Sequence, residues 1–312
     1  MKAIVCTRYG PPEVLQLKEV EKPTPKDDEV RIRIFTTAVT ASDCIVRGFN
    51  APFILWIPMA IAVGFTKPRQ PILGIVFAGE VESVGQSVRS FKIGDPVFGW
   101  DLFPAFGTYA EYKCMPEKGF IVKKPANVSY KEAAAVPYGG LMALPFLKKG
   151  NIQRGQKVLI YGASGAIGTT AVQLAKYYGA EVTGVCSTQN LELVRSLGAD
   201  KVIDYTKEDS IDRLELYDFI LDAVGKKKRS DLKKQCKKAL TQNGKYISVD
   251  SGFPKQPIDD LILLKELLEA GKIRPVIDRS YPLEQMAEAH RYVDKGHKKG
   301  NVIITVVTKD RT

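Results

Sequence analysis

The chain is poor in the residues that build disulfide scaffolds and metal centres. Its five cysteines, Cys6, Cys44, Cys114, Cys186 and Cys236, are odd in number, scattered, and form no C-x-x-C pair. That pattern argues against a disulfide framework and for a reducing compartment, so a cytoplasmic location is expected. Only two histidines are present, His290 and His297, both in the tail. MKAIVCTRYG lacks the apolar core of a signal peptide and reads as a first strand. There is no internal repeat, no low-complexity linker and no G-x-x-x-x-G-K-[ST], which leaves an ordinary P-loop nucleotidase unsupported. One strongly apolar stretch, FNAPFILWIPMAIAVGF (Phe49–Phe65), is interrupted by Pro52 and Pro58 and is too short for a bilayer span.

What is present is a chain of 312 residues, long enough for two domains and a sizeable core. The net charge of +11 is concentrated in KKKRSDLKKQCKKAL, where Leu232, Cys236 and Leu240 recur every four residues. The spacing predicts an amphipathic surface helix with a solvated basic face. A nucleic-acid patch would want aromatic stacking residues among the lysines, and the run has none, so no nucleic-acid partner is expected.

The first third reads as β-rich. Val30, Ile32 and Ile34 alternate with Arg31 and Arg33, the mark of a half-buried strand, and FKIGDPVFGW carries a Gly-Asp-Pro turn. From about Asn127 helix and strand patterns alternate, which calls for an open parallel sheet. A helix over Asp259–Gly271, an extended Pro275–Asp278, a helix over Pro282–Val293 and a strand over Val302–Val307 complete the expected elements.

The centre of the pattern is KVLIYGASGAIGTTAVQLAKYYG, Lys157 to Gly179. Val158, Leu159 and Ile160 suit a strand buried on both faces, and Ile167, Ala171, Leu174, Ala175 and Tyr178 recur at helical spacing. Between them lies the turn Gly162-Ala163-Ser164-Gly165-Ala166-Ile167-Gly168. A strand, tight turn and helix in that order aim backbone N–H groups and a helix dipole at one point, an anion site suited to a pyrophosphate. Gly165 would let the backbone approach the phosphates, and Gly168 would let helix and strand pack closely. A βαβ turn of another α/β protein is the alternative, since Ala163 stands where the first glycine of G-x-G-x-x-G would be. The second strand, Val182–Val185, runs into Cys186-Ser187-Thr188-Gln189-Asn190 without the carboxylate that NAD-preferring folds place there. Ser187, Thr188 and Asn190 can donate hydrogen bonds to a 2′-phosphate. NADPH is therefore the expected cofactor, by a modest margin, with Lys176 either reaching the phosphate or lying solvated on its helix.

These pieces in this order resemble the medium-chain dehydrogenase/reductase superfamily, in its zinc-independent quinone oxidoreductase branch. The resemblance rests on MKAIVCTRYGPPEVLQL, FAGEVESVGQSV, FKIGDPVFG, GTYAEY, GASGAIG with AVQLAK, LGADKVIDY, YDFILDAVG and HKKGNVIITV. It implies an α/β architecture: a GroES-like β-barrel catalytic domain over 1–126 completed by 277–312, and a Rossmann NADP(H)-binding domain over 127–276. The active site would lie where the two meet. The family's catalytic zinc positions fall on Thr40, Ile75 and Tyr138, which are not a plausible ligand set, and the structural-zinc cysteine lobe is missing. No metal is expected, and His290 is expected on a helix surface.

The reaction implied is hydride transfer from NADPH to a quinone or an α,β-unsaturated carbonyl. Reduction of simple aldehydes or ketones, or a weakly catalytic nucleotide-bound binding protein, are the alternatives. The resemblance places Thr40, Ser42 and Tyr138 as hydrogen-bond donors, Asp43 beside them as an orienting acceptor, and Tyr205 near the 2′-phosphate. Phe53, Trp56 and Met142 are expected on the acceptor side. The apolar stretch containing Phe53 and Trp56 either covers the cleft or packs on the barrel as an insertion, with peripheral membrane contact as a third reading. Relatives carry a longer segment between Val249 and Asp259, including a last Rossmann strand that pairs across a dimer. Its shortening predicts a monomer or an atypical dimer.

Overall fold

The computed structural model describes residues 1–50, 56–101, 105–225, 230–252 and 255–307. The chain forms two compact units, Met1–Pro137 with Ile277–Thr312, and Tyr138–Val276. The first unit is β-rich. β1 (Lys2–Cys6) and β2 (Leu15–Glu19) pair antiparallel. The larger sheet is built on the eleven-residue β3 (Glu29–Val39), which pairs with β4 (Val76–Val84) and with β6 (Tyr112–Pro116). β5 (Pro96–Trp100) and β7 (Ile121–Lys123) continue one side, while β14 (Asn301–Thr305) and β13 (Ile277–Pro282) from the tail complete the other. Alternation decides the faces: Val30, Ile32 and Ile34 enter a core with Phe77, Val81, Val97, Met115 and Ile121. Arg31, on the opposite face of β3, pairs with Glu82 at 2.6 Å. Helices of this unit include α1 (Ala41–Gly48), α2 (Trp56–Val63) and α8 (Met286–Asp294). The tail helix begins at Met286 because Pro282 ends β13 and a short 3-10 turn spans Leu283–Gln285.

α3 (Tyr130–Gly150) carries the chain into the second unit, the division after Pro137 falling within this helix. There, five parallel strands stand in the order β10-β9-β8-β11-β12. They are β8 (Lys157–Tyr161), β9 (Glu181–Cys186), β10 (Lys201–Asp204), β11 (Tyr217–Asp222) and β12 (Leu240–Ser248). Strand order reverses beside β8, so the carboxyl ends of β8, β9 and β11 open on the crevice where such sheets bind ligands. α4 (Ala166–Tyr177) and α5 (Leu191–Ser196) follow β8 and β9, and α7 (Ile258–Glu269) follows the shortened segment. Among the described residues the sheet stops at β12.

The basic run departs from its expected form. Its helix, α6, covers only Asp231–Cys236, and Leu240 already starts β12. Residues 226–229 lie outside the described residues. Lys233, expected on a solvated face, is buried. The requirement that decides this is tertiary: β11 ends in a carboxylate, Asp222, which needs a cation at 2.7 Å.

Candidate functional site

The second unit carries the glycine turn between β8 and α4. Val158, Leu159 and Ile160 are fully buried, and the chain turns at Gly162, whose φ of 84° favours glycine. The amides of Gly162 and Ala163 donate to the Val185 carbonyl at 3.0 and 2.9 Å, tying the turn to β9. A Cβ on Gly168 would stand 2.1 Å from the Gly162 carbonyl oxygen, so only glycine permits this approach of α4 to the strand. Gly165 is different: a Cβ there would meet nothing closer than the Gly162 oxygen at 3.6 Å. Gly165 is also the N-cap of α4 and supplies no side chain to the first-turn amides. The open space over Gly165 and the uncapped amides of Ala166, Ile167 and Gly168 fit a pyrophosphate.

The neighbouring strand ends shape the rest. Asn190 is buried, and its Nδ2 donates to Ser164 Oγ at 3.1 Å and Ser187 Oγ at 3.2 Å. Asn190 therefore orients Ser164 and Ser187 instead of donating outward. Thr188 Oγ1 donates to Asp204 Oδ2 at 2.5 Å, so its proton is also engaged. Asp204, at the end of β10, further accepts from the Thr206 amide and hydroxyl. The fold thus brings a carboxylate to the end of β9 that the local sequence there does not contain. Of the three expected donors, Ser187 accepts from Asn190 and leaves its own hydroxyl proton uncommitted among the described residues; Tyr205 is exposed. Lys176 is in the last turn of α4, at the end remote from the glycines, and is paired with Asp200 at 2.8 Å.

Sequence reasoning missed the group that supports this turn. Burial raises the Asp222 carboxyl, but Lys233 and Tyr246 overcome that and hold it below the ordinary carboxylate range. The Tyr246 and Ser248 hydroxyls donate to Asp222 Oδ2 at 2.9 and 3.2 Å, while Asp222 Oδ1 accepts the amides of Val224 and Gly225 at 3.1 Å each. Val224 in turn lies against Gly162: a Cβ there would be 2.4 Å from Val224 Cγ2. The carboxylate that closes the apolar run of β11 was the available signal. Tyr138 is buried and precedes Gly139, where a Cβ would stand 2.3 Å from the Ala166 carbonyl oxygen. α3 therefore carries Tyr138 to the glycine turn. Met142, further along α3, is buried, with Gln256 Nε2 3.6 Å from its sulfur.

In the first unit, Thr40 and Asp43 form a capping box at the start of α1. Thr40 donates to Asp43 Oδ2 from its amide at 2.8 Å and its hydroxyl at 2.6 Å, and the Asp43 amide donates back at 3.2 Å. The Thr40 hydroxyl proton is spent on Asp43, so Thr40 orients that carboxylate and is not placed to donate elsewhere. Burial raises the Asp43 carboxyl to about 6, with the Thr40 hydrogen bonds and the Tyr109 hydroxyl opposing it. Ser42, next in the helix, is partly exposed. Trp56 is half exposed, with its ring 5.2 Å from that of Phe49. Phe53 lies outside the described residues.

His290 corrects an expectation. It is fully buried instead of lying on the helix surface, with Nδ1 3.4 Å from Cys44 Sγ and Nε2 3.1 Å from the Tyr109 hydroxyl. Burial, helped by the Arg47 charge, lowers its pKa to about 3, so the ring is neutral. A neutral ring has one donor and one acceptor nitrogen. Cys44 Sγ and the Tyr109 hydroxyl occupy the two ring nitrogens, and the Tyr109 hydroxyl acts in turn on Asp43. Arg47, also buried, donates to Asp294 at 2.8 Å. The signal was legible: His290 shares the inward face of α8 with Met286, Ala289 and Val293.

A five-stranded parallel sheet with this turn, and a seven-stranded sheet completed by the tail, define the dehydrogenase class that joins a GroES-like domain to a nucleotide-binding one. The alcohol dehydrogenase GroES-like domain model matches residues 26–126, and the zinc-binding dehydrogenase model matches 166–289. The 2-methylene-furan-3-one reductase of Solanum lycopersicum is 34% identical, across 97% of this chain and 79% of that protein. The chloroplastic NADPH-dependent alkenal/one oxidoreductase of Arabidopsis thaliana is 32% identical over the same shares. Among solved structures, the quinone oxidoreductase from Coxiella burnetii superposes with a TM-score of 0.85 at 28% identity, covering 98% of this chain and 99% of that one. The chain belongs to the medium-chain dehydrogenase/reductase superfamily, in its quinone oxidoreductase-like branch, and is an oxidoreductase.

Proposed function

We propose that the protein is a zinc-independent, NADPH-dependent reductase of quinones or α,β-unsaturated carbonyls. The observation that carries the reading is the cradle at Gly165, open above its backbone and backed by uncapped amides, in a chain related to an enone reductase. When bound, the dinucleotide supplies the hydride. The turn Gly162–Gly168 holds its pyrophosphate. Ser187, oriented by Asn190, donates to the 2′-phosphate, and Tyr205 lies beside it. Absence of a carboxylate in Cys186–Asn190 favours NADPH. Asp204, already accepting from Thr188 and Thr206, keeps that preference modest.

Reduction of such an acceptor leaves negative charge on its oxygen, which hydrogen-bond donors must hold. Ser42 and Tyr138 are assigned that role, Thr40 and Asp43 position the start of α1, and Trp56 and Met142 are assigned to acceptor contacts. Thr40, Ile75 and Tyr138 at the family's zinc positions support zinc independence; among the described residues no group of three His, Cys, Asp or Glu is arranged to hold a metal ion. All five cysteines are free, which supports a cytoplasmic location, although named relatives are chloroplastic or mitochondrial. No helix among the described residues is long and apolar enough to cross a membrane. The short 250–258 segment supports a monomer, or a dimer through a surface other than the sheet edge.

The test is steady-state oxidation of NADPH and of NADH with 1,4-benzoquinone, an enone and the enone's saturated analogue. Turnover of the first two acceptors, none of the third, and a higher kcat/KM with NADPH are expected. No turnover of either electron-poor acceptor overturns the assignment, and equal use of both cofactors overturns the role given to Ser187.

A further inference from the structure

Helix α2 leaves its apolar side chains in solvent. Of the eleven large hydrophobic side chains exposed among the described residues, four fall between Trp56 and Phe65. Trp56 is 52% exposed, Ile57 66%, Ile61 56% and Phe65, just past the helix, 66%. Only Ala60 and Val63 of α2 are buried. An insertion packed into a core would bury these large residues, and a contiguous apolar face of this kind marks an interaction surface.

The face is built. The Tyr9 hydroxyl donates to the Gly64 carbonyl at 2.8 Å, with the Val63 carbonyl at 3.1 Å, fixing the end of α2. The Tyr9 ring stands 4.6 Å from Phe49, which in turn meets Trp56, so both ends of the helix are held. Ile57 and Ile61, one turn apart, project together. Along the chain the charges flanking it have one sign: no Asp or Glu occurs between Asp43 and Glu80, and Lys67 and Arg69 are exposed directly after Phe65.

We infer that α2 docks the protein on an anionic lipid surface, with Ile57, Ile61 and Phe65 entering the acyl boundary and Lys67 and Arg69 meeting headgroup phosphates. An apolar helix face edged by cations binds such a surface through both contributions. At eight residues, α2 lies on the bilayer and does not cross it. A second copy is a poorer occupant, because a two-fold contact through this face would bring the same cations together. The inference rests on Ile57, Ile61 and Phe65 with Lys67 and Arg69, and not on the acceptor contact assigned to Trp56.

Sedimentation with vesicles of phosphatidylcholine plus phosphatidylglycerol, against phosphatidylcholine alone, tests it. Binding to the anionic vesicles that weakens with salt is expected. Ile57→Glu and Ile61→Glu should each weaken it by about tenfold or more, the loss from one buried aliphatic side chain. Both positions are exposed, so these variants should unfold at the wild-type temperature. The chain has two tryptophans, and Trp100 is only 4% exposed, so a vesicle-induced blue shift of emission reports Trp56. Trp56→Phe should lose the shift and still sediment. Equal binding to both vesicles, no binding, or binding indifferent to Ile61→Glu overturns the inference. So does a dimer in sedimentation velocity that Ile61→Glu dissociates, which would give the face to a second copy.

Discussion

Replacing His290 by Gln should change how stability responds to acid, and the network around the ring sets the size of the effect. The ring faces Cys44, Tyr109 and the charges of Arg47, Asp43 and Asp294. Its folded pKa of about 3 lies below the ordinary 6.5. As pH falls, the unfolded chain takes a proton that the folded protein refuses. The stability that neutral His290 contributes is therefore complete above about pH 6.5 and lost as pH drops toward its folded pKa, at about 1.4 kcal/mol per pH unit. Between about pH 6.5 and 4 the wild type should give up about 3 kcal/mol through this residue. Glutamine binds no proton. Whatever the variant loses at neutral pH in hydrogen bonds, its stability relative to wild type should rise by about 3 kcal/mol over that window. Asp43 has the opposite sign. Its folded pKa of about 6 is raised, so its contribution is present below the ordinary carboxylate value and lost as pH rises through 6. In the wild type the two slopes oppose each other; the variant keeps only that of Asp43. Urea unfolding of both proteins across a pH series at constant ionic strength measures the difference. Parallel pH profiles would refute the buried, neutral state of His290.

The glycine turn offers a paired comparison. Gly168→Ala forces a methyl group against the Gly162 carbonyl and should destabilise the protein by about 1–3 kcal/mol, read as a lower urea midpoint. Gly165→Ala has room for its methyl in the free protein, so it should fold with wild-type stability while binding NADPH about tenfold or more weakly by fluorescence titration. Equal affinity would show that the pyrophosphate does not approach Gly165. Lys233→Met strands the Asp222 carboxylate in a buried site and should cost about 3–5 kcal/mol, measured by unfolding at neutral pH. Rescue by Asp222→Asn in the same chain would identify the uncompensated charge as the cause.

Much of the architecture was legible because it is periodic and local. Alternation at Val30, Ile32 and Ile34 set the inner face of β3, and the apolar run before Gly162 set the central parallel strand. Spacing alone also placed Gly165 at open backbone and Gly168 at a forced close approach. What the linear pattern could not supply were the partners of polar side chains. His290 meets residues 246 and 181 positions away, and Lys233 finds Asp222 only because α6 closes over the end of β11. The same holds at the ribose end, where β10 delivers Asp204 to Thr188 and turns an expected donor inward. Hydrophobic burial is additive and can be read residue by residue. A buried proton or charge is decided by its partner, and the partner is chosen by the tertiary fold.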